Sequence, residues 1–302
     1  MKKLLIKFSL AVAGLLSTFI PQLSTCSAVT TIDSVNRYAW GANLGWMNWV
    51  GDTNNGAVIG EYVCSGYIYS ANVGWINLGS GSPANGIQYQ NNSTNDFGVN
   101  QDGLGNLSGY AYGANIGWIT FEQAYGQPKV NLLTGQLRGY VWSANCGWIS
   151  LSNAVAYVQT DVIQKGALDS DGSGLPIAWE LINFGQTGVD PNADPDGDGM
   201  SNYQEYLAGT DPNNPDSVLR ITAESFLSGG TSAMLTWNSV PTRYYYIYTT
   251  PGLSSPNWTD SGLGLISPSA GSTTTAGFTD TSAAARFYRV QAVRPLMPRP
   301  PR

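Results

Sequence analysis

Tyr38-Ala-Trp-Gly-Ala-Asn-Leu-Gly-Trp46-Met is a pattern that this chain states four times. It returns as Tyr67-Ile-Tyr-Ser-Ala-Asn-Val-Gly-Trp75-Ile, as Tyr110-Ala-Tyr-Gly-Ala-Asn-Ile-Gly-Trp118-Ile and as Tyr140-Val-Trp-Ser-Ala-Asn-Cys-Gly-Trp148-Ile. The tryptophans stand 29, 43 and 30 residues apart, which signals a repeat architecture. Each copy reads as strand, tight turn, strand. Two aromatics alternate in the first strand and so share one side, as Tyr140 and Trp142 do. The Ala-Asn-x-Gly run supplies the turn, since Asn and Gly tolerate positive φ. A further extended piece, such as Lys129–Gly139, precedes the later copies, so the expected unit is three-stranded. No unit holds a core alone, and the copies must pack on one another.

Working outward, residues 1–28 read as a secretory signal peptide. Lys2, Lys3 and Lys7 precede an apolar run from Phe8 to Ile20, Pro21 breaks it, and Cys26-Ser27-Ala28 offers small residues before a cut after Ala28. The run is too short to span a membrane. A lipoprotein reading would instead lipidate Cys26. Both readings place the mature chain outside the cell or on its surface, with no membrane span. Removing 1–28 takes the net charge from −6 to −9, because three lysines and no acid leave with it. A chain this acidic is not expected to bind nucleic acid. Cys64 and Cys146 remain, as one disulfide or as two buried thiols.

Between the repeats and the C-terminal region the acids concentrate. From Asp161 to Asp216 there are eleven acids and one base, a local net charge of −10. They fall in register with glycine turns. Asp194-Pro-Asp-Gly-Asp-Gly-Met-Ser-Asn-Tyr-Gln-Glu205 has the spacing of a complete calcium loop. Ca2+ takes six to eight oxygens. Asp194, Asp196 and Asp198 alternate toward one point, Gly199 turns the chain, Met200 offers its carbonyl, Asn202 ligates directly or through water, and Glu205 closes the site with both oxygens. A weaker copy runs from Asp169 to Glu180, with Asp169, Asp171, Ser173, Leu175 and Glu180 in the ligand places. Ile177 stands where Asn202 does and offers no side-chain oxygen. Asp190 and Asp211 flank the strong loop as extra ligands or as turn formers. Ile177–Phe184 and Ser201–Leu207 are the short helices expected after the loops, stopped by Gly185 and Gly209.

From residue 217 onward seven arginines face three acids, so this region is basic and can dock on the acidic segment. Alternating runs at Ala233–Trp237, Tyr244–Thr249 and Arg286–Ala292, separated by Gly, Ser and Pro clusters, predict about seven short strands and a sandwich. The Pro/Arg-rich end is expected to be disordered.

Three resemblances follow from these residues. The segment 169–216, through Asp-x-Asp-Gly-Asp-Gly-x-x-Asn-x-x-Glu, resembles the thrombospondin type-three and dockerin-like calcium repeats of secreted bacterial proteins. That likeness implies EF-hand-type calcium loops, each followed by a short helix and needing none before it. Residues 38–151 resemble the Gly-Tyr-Ala-Trp-Ser-x-Asn-x-Gly-Trp-Ile repeats of secreted bacterial proteins, which imply no activity. The C-terminal region is similar to fibronectin-like end domains that close on Arg-Phe-Tyr-Arg-Val. The expected organisation is therefore mainly β: signal peptide 1–28, β-repeat module 29–160, calcium-loop/helix segment 161–216, β-sandwich 217–294 and tail 295–302.

Composition also excludes chemistry. The chain has no histidine, which removes Ser-His-Asp and Cys-His nucleophiles and histidine metal sites. A glycosidase needs only two carboxylates. The candidates, Asp33, Asp52, Glu61, Asp96, Asp102 and Glu122, recur at no common repeat position. No catalytic residue is therefore assigned and enzyme activity is not expected. The aromatics are the better binding candidates, because Trp and Tyr faces stack on sugars. The first-strand residues Trp40, Tyr69, Tyr112 and Trp142 are expected at the surface. Trp46, Trp75, Trp118 and Trp148, beside the Met or Ile, are expected in the core. The expected role is adhesion, with a polysaccharide or a cell-surface protein as partner. A carbohydrate-active enzyme and a self-assembling surface protein pairing through open sheet edges are the alternatives.

Overall fold

The computed structural model describes residues 30–52, 54–164, 172–227, 232–254, 257–280 and 286–296. The proposed signal peptide, Cys26, Asp169 and Asp171 lie outside them. The described chain is mainly β with two short helices. No helix among the described residues is long and apolar enough to cross a membrane.

Each repeat forms a hairpin: β1 (Ile32–Gly41) with β2 (Gly45–Asn48), then, after β3 (Val58–Ile59), β4 (Cys64–Ser70) with β5 (Gly74–Ser80). After β6 (Val99–Gln101) comes β7 (Leu107–Gly113) with β8 (Gly117–Thr120). The small hairpin β9 (Lys129–Val130) and β10 (Leu137–Arg138) precedes the fourth pair, β11 (Tyr140–Ser143) with β12 (Gly147–Ser150). The hairpins join edge to edge, and β12 pairs back onto β1. Eight antiparallel strands thus close into a barrel.

The closure repeats one register. The Met or Ile after each Trp faces the small residue ending the next first strand: Met47 opposite Ser70, Ile76 opposite Gly113, Ile119 opposite Ser143 and Ile149 opposite Gly41. Strand pleating then sorts the faces. Ala39, Met47, Ile68, Ile76, Ala111, Ile119, Val141 and Ile149 all point inward and are buried. Trp49, Leu78, Phe121 and Leu151, two residues further along, form a second buried layer.

That alternation corrects one expectation. Trp46, Trp75, Trp118 and Trp148 are 42–47 % exposed. Neighbours in a strand take opposite faces, so the Met or Ile and the Trp cannot both point inward. Each Trp instead stands directly across from the first-strand aromatic: Trp40 from Trp46, Tyr69 from Trp75, Tyr112 from Trp118 and Trp142 from Trp148.

The turns divide the labour that the sequence gives jointly to Asn and Gly. The left-handed conformation falls to Gly45, Gly74, Gly117 and Gly147, with φ of 72–78°. The Asn side chains clasp the ring. Asn72 Nδ2 donates to Leu44 O at 2.8 Å, Asn115 to Val73 O at 3.0 Å, Asn145 to Ile116 O at 2.9 Å and Asn43 to Cys146 O at 3.2 Å. Every turn therefore holds its neighbour. Cys64 and Cys146 are separate buried thiols, and burial pushes the Cys64 thiol up to about 12.

The strand β13 (Val158–Thr160) pairs with β1 and leads to α1 (Ile177–Phe184) and α2 (Asn202–Ala208). The C-terminal strands are β14 (Ile221–Leu227), β15 (Ser232–Asn238), β16 (Tyr244–Thr250), β17 (Thr259–Asp260), β18 (Thr273–Thr279) and β19 (Phe287–Val293). They form two three-stranded sheets, β14-β15-β18 and β17-β16-β19, around Leu235, Trp237, Tyr245, Ile247 and Phe278. Just beyond β19 the chain stays in contact with the barrel. Ile163 N donates to Leu296 O at 2.7 Å, and Arg294 pairs with Glu61. Arg294 and Leu296 are thus held against the barrel, and 297–302, the rest of the expected tail, lie outside the described residues.

Candidate metal centre

The loop 194–205 spends one set of oxygens on its own backbone and leaves another set free. Asp194 Oδ1 accepts from Gly197 N at 2.9 Å and Oδ2 from Gly199 N at 3.0 Å. Asp196 Oδ1 accepts from Asp198 N, and Asp198 Oδ1 from Met200 N. Gly197 and Gly199 take φ of 78° and 95°, which tightens the loop and draws these carboxylates together. One oxygen from each of Asp194, Asp196 and Asp198 lies within 4.8 Å of the others.

The helix α2 brings the remaining groups. Ser201 starts it with a capping box, its side chain accepting from Gln204 N while the Gln204 side chain accepts from Ser201 N. Gly209 stops it at φ 79°. In this first turn Asn202 and Glu205 are fully buried. Asn202 Nδ2 donates to Asp190 O at 2.8 Å, and its Oδ1 has no hydrogen-bond partner. Neither oxygen of Glu205 has one either, nor do Asp196 Oδ2 and Asp198 Oδ2. A buried acceptor without a donor is costly, and a buried unpaired carboxylate more so. Five such oxygens in one loop are what a hard divalent cation satisfies, so this donor set fits calcium. Met200, half-buried, accepts through Sδ from Leu219 N at 3.3 Å.

Burial, and then the negative charges of Asp196 and Asp198, raise the Glu205 carboxyl to about 7. The unfolded carboxyl ionises near its ordinary 4.5, so raising the pH above that value opposes the metal-free fold. A bound cation removes the opposition. Calcium should therefore raise the melting temperature more at pH 7.5 than at pH 5.5. An equal gain at both pH values would count against Glu205 as a ligand.

Of the upstream loop, Ser173, Leu175 and Glu180 are described. Ser173 Oγ accepts from Leu175 N at 3.1 Å, and Gly174 turns at φ 88°. Leu175 is buried beside Trp179 and Tyr206. Glu180 is fully buried and accepts from Val189 N at 2.8 Å through Oε1. Ile177 begins α1 and packs inward. The two helices meet through Trp179 and Tyr206, their rings 5.8 Å apart.

The sequence reading missed the residues that fasten this centre. Tyr206 Oη donates to Glu61 Oε2 at 3.0 Å, and Arg294 pairs with Glu61 and stacks 4.2 Å from the Tyr206 ring. Burial is the largest influence on Arg294 and lowers its pKa, but the charge and hydrogen bond of Glu61, with Tyr206 and Tyr62, together raise it. Arg243 Nε and Nη2 donate to Leu207 O and Tyr206 O at 2.7 and 3.2 Å. A cation at a helix C-terminus is favourable there. The arginine-rich region thus meets the acidic segment at the carbonyls of α2 through Arg243, and the barrel at the Glu61 carboxylate through Arg294. No local pattern marks Glu61, which lies 145 residues from Tyr206.

The acidic loop has a known counterpart. Residues 194–215 match the Bacterial TSP3 repeat. Repeats of that family bind calcium and occur in extracellular proteins. No curated protein and no solved structure matches the chain.

Proposed function

We propose that this is a secreted, non-catalytic carbohydrate-binding protein, used in attachment to a cell surface or matrix and stabilised by calcium. Calcium sits at Asp194, Asp196, Asp198, Met200, Asn202 and Glu205, and more weakly at Asp169, Asp171, Ser173, Leu175 and Glu180. The aromatic faces of the barrel take the glycan. Fibronectin-like sandwich and repeat barrel act as the scaffold on either side of the metal segment.

The observation that carries the binding reading is the exposure of Trp40, Tyr69, Tyr112 and Trp142, each at 39–40 %. With the opposed tryptophans they present paired rings, 4.9 Å apart for Tyr69 and Trp75 and 4.8 Å for Tyr112 and Trp118. Tilted rings half open to solvent can stack on the C–H faces of a sugar.

A glycosidase reading gains no support from the carboxylates. Asp33, Asp52, Asp102 and Glu122 each accept from two or more backbone amides within four residues of themselves. Asp96 accepts from Ala84 N and Gln90 N, and Glu61 is held by Arg294 and Tyr206. Assembly through open barrel edges loses its premise, since β12 pairs with β1.

Trp142→Ala should weaken retention in gels cast with a bound polysaccharide while the melting temperature moves by a few degrees at most. Unchanged retention on every polysaccharide that holds the parent would remove the first-strand rings from the binding site.

A further inference from the structure

We infer that the barrel is a cross-linker of neutral polysaccharide chains, four equivalent binding faces pointing in four directions from one monomer. The inference rests on the carbohydrate reading above and adds the valence and charge of its ligand.

The four hairpins follow one another around a closed circuit of eight strands. Successive hairpins therefore turn their outer faces by about a quarter of the circumference. Each face carries the same opposed pair, first-strand aromatic against Trp, in the same register. All eight rings are 39–47 % exposed in the full described chain. On the third face Phe97 also packs against Tyr112 and Trp118, at 6.4 and 5.1 Å, and both of those rings stay about 40 % exposed.

The faces also specify a ligand by what they lack. Residues 29–160 hold nine charged side chains, and the six acids among them are engaged by loop amides or by Arg294 and Tyr206. The residues across from the next first-strand aromatic are neutral, Asn48, Asn77, Thr120 and Ser150, and Arg37 beside the first face is seated over the Tyr38 ring at 5.3 Å. An uncharged polymer suits this surface, since it brings no ion to desolvate. A flat support can touch only adjacent faces. A soluble chain on one face leaves the opposite face free for a second chain, so a monomer bridges two chains.

The test uses the mature full-length protein with calcium and three soluble neutral polymers, a xyloglucan, a galactomannan and a mixed-linkage β-glucan. At least one should be retained in affinity electrophoresis, and light scattering of that mixture should rise at protein concentrations where the protein alone stays monomeric. Replacing Trp40, Trp46, Tyr69, Trp75, Tyr112 and Trp118 by Ser leaves one face. This variant should still be retained and should lose the scattering. Because six changes can unfold the barrel, four variants with one face removed are measured beside it. Each should keep scattering and lose a similar fraction of it. Loss of all scattering on removing a single face, or retention by the parent without scattering, would overturn cross-linking and leave the carbohydrate reading intact. Retention of the parent by none of the three neutral polymers overturns cross-linking. A panel of charged polysaccharides run beside them then decides the carbohydrate reading itself, which falls only when these too fail to retain the protein.

Discussion

Glu205→Ala abolishes the tight calcium event and frees the junction it anchors. Calorimetric titration of the chelator-treated parent should show a tighter and a weaker event, and this variant should lack the tighter. Among the described residues of the loop, Glu205 alone offers two buried oxygens with no donor, so its loss should remove more than that of any single Asp. The drop in affinity should exceed the ~10–100-fold typical of losing an outer-shell partner. The consequence spreads because α2 is shared. One turn of that helix carries Asn202 and Glu205, and the next carries Tyr206, which holds Glu61 of the barrel. Its terminal carbonyls hold Arg243 of the C-terminal region. With the loop empty, the like charges of Asp194, Asp196, Asp198 and Glu205 repel, and the helix start loses its support. Limited proteolysis under chelation should cut between about residues 166 and 216 and release a resistant N-terminal fragment. The buried apolar cluster of the barrel shares no residue with the cluster around Trp179 and Tyr206 beside the calcium loop, so the barrel should keep its fold without the ion. A Glu205→Ala protein that titrates like the parent would refute the ligand assignment, and rapid loss of the barrel would refute its independence.

What the sequence made legible was local. Period-two alternation in Tyr140-Val-Trp-Ser places Tyr140 and Trp142 together on the outside, as observed. The calcium spacing is likewise short-range, and Gly185 and Gly209 end their helices as read. Non-local facts were hidden. Closure depends on the pairing of β12 with β1, and Asn43 reaches Cys146 across 103 residues. The face of Trp46 depends on which residue stands across from it, which only the hairpin register decides. Size and hydrophobicity alone argue for Trp inside. The interior of an eight-stranded barrel is narrow, though, and at the level of these four tryptophans Ala, Val, Ile and Met fill it.

Ile149→Ala should destabilise the barrel far more than Trp148→Ala, although the two residues are neighbours and Trp is the larger. Ile149 is fully buried and packs toward Gly41 across the closing β12–β1 seam. Its truncation leaves a cavity that the closed ring cannot collapse to fill, at a cost of about 2–5 kcal/mol. Trp148 is 45 % exposed, and its ring meets Tyr140 edge-on at 6.4 Å. Losing that contact costs about 0.5–1.5 kcal/mol. Urea unfolding of the calcium-loaded protein, followed by far-ultraviolet circular dichroism, measures both. The ordering carries the argument, because every inward position in the ring depends on the same pleat. If Trp148→Ala proved the more damaging, the hairpin would have its faces reversed, the Met and Ile row would lie outside, and the aromatic pairs would be core.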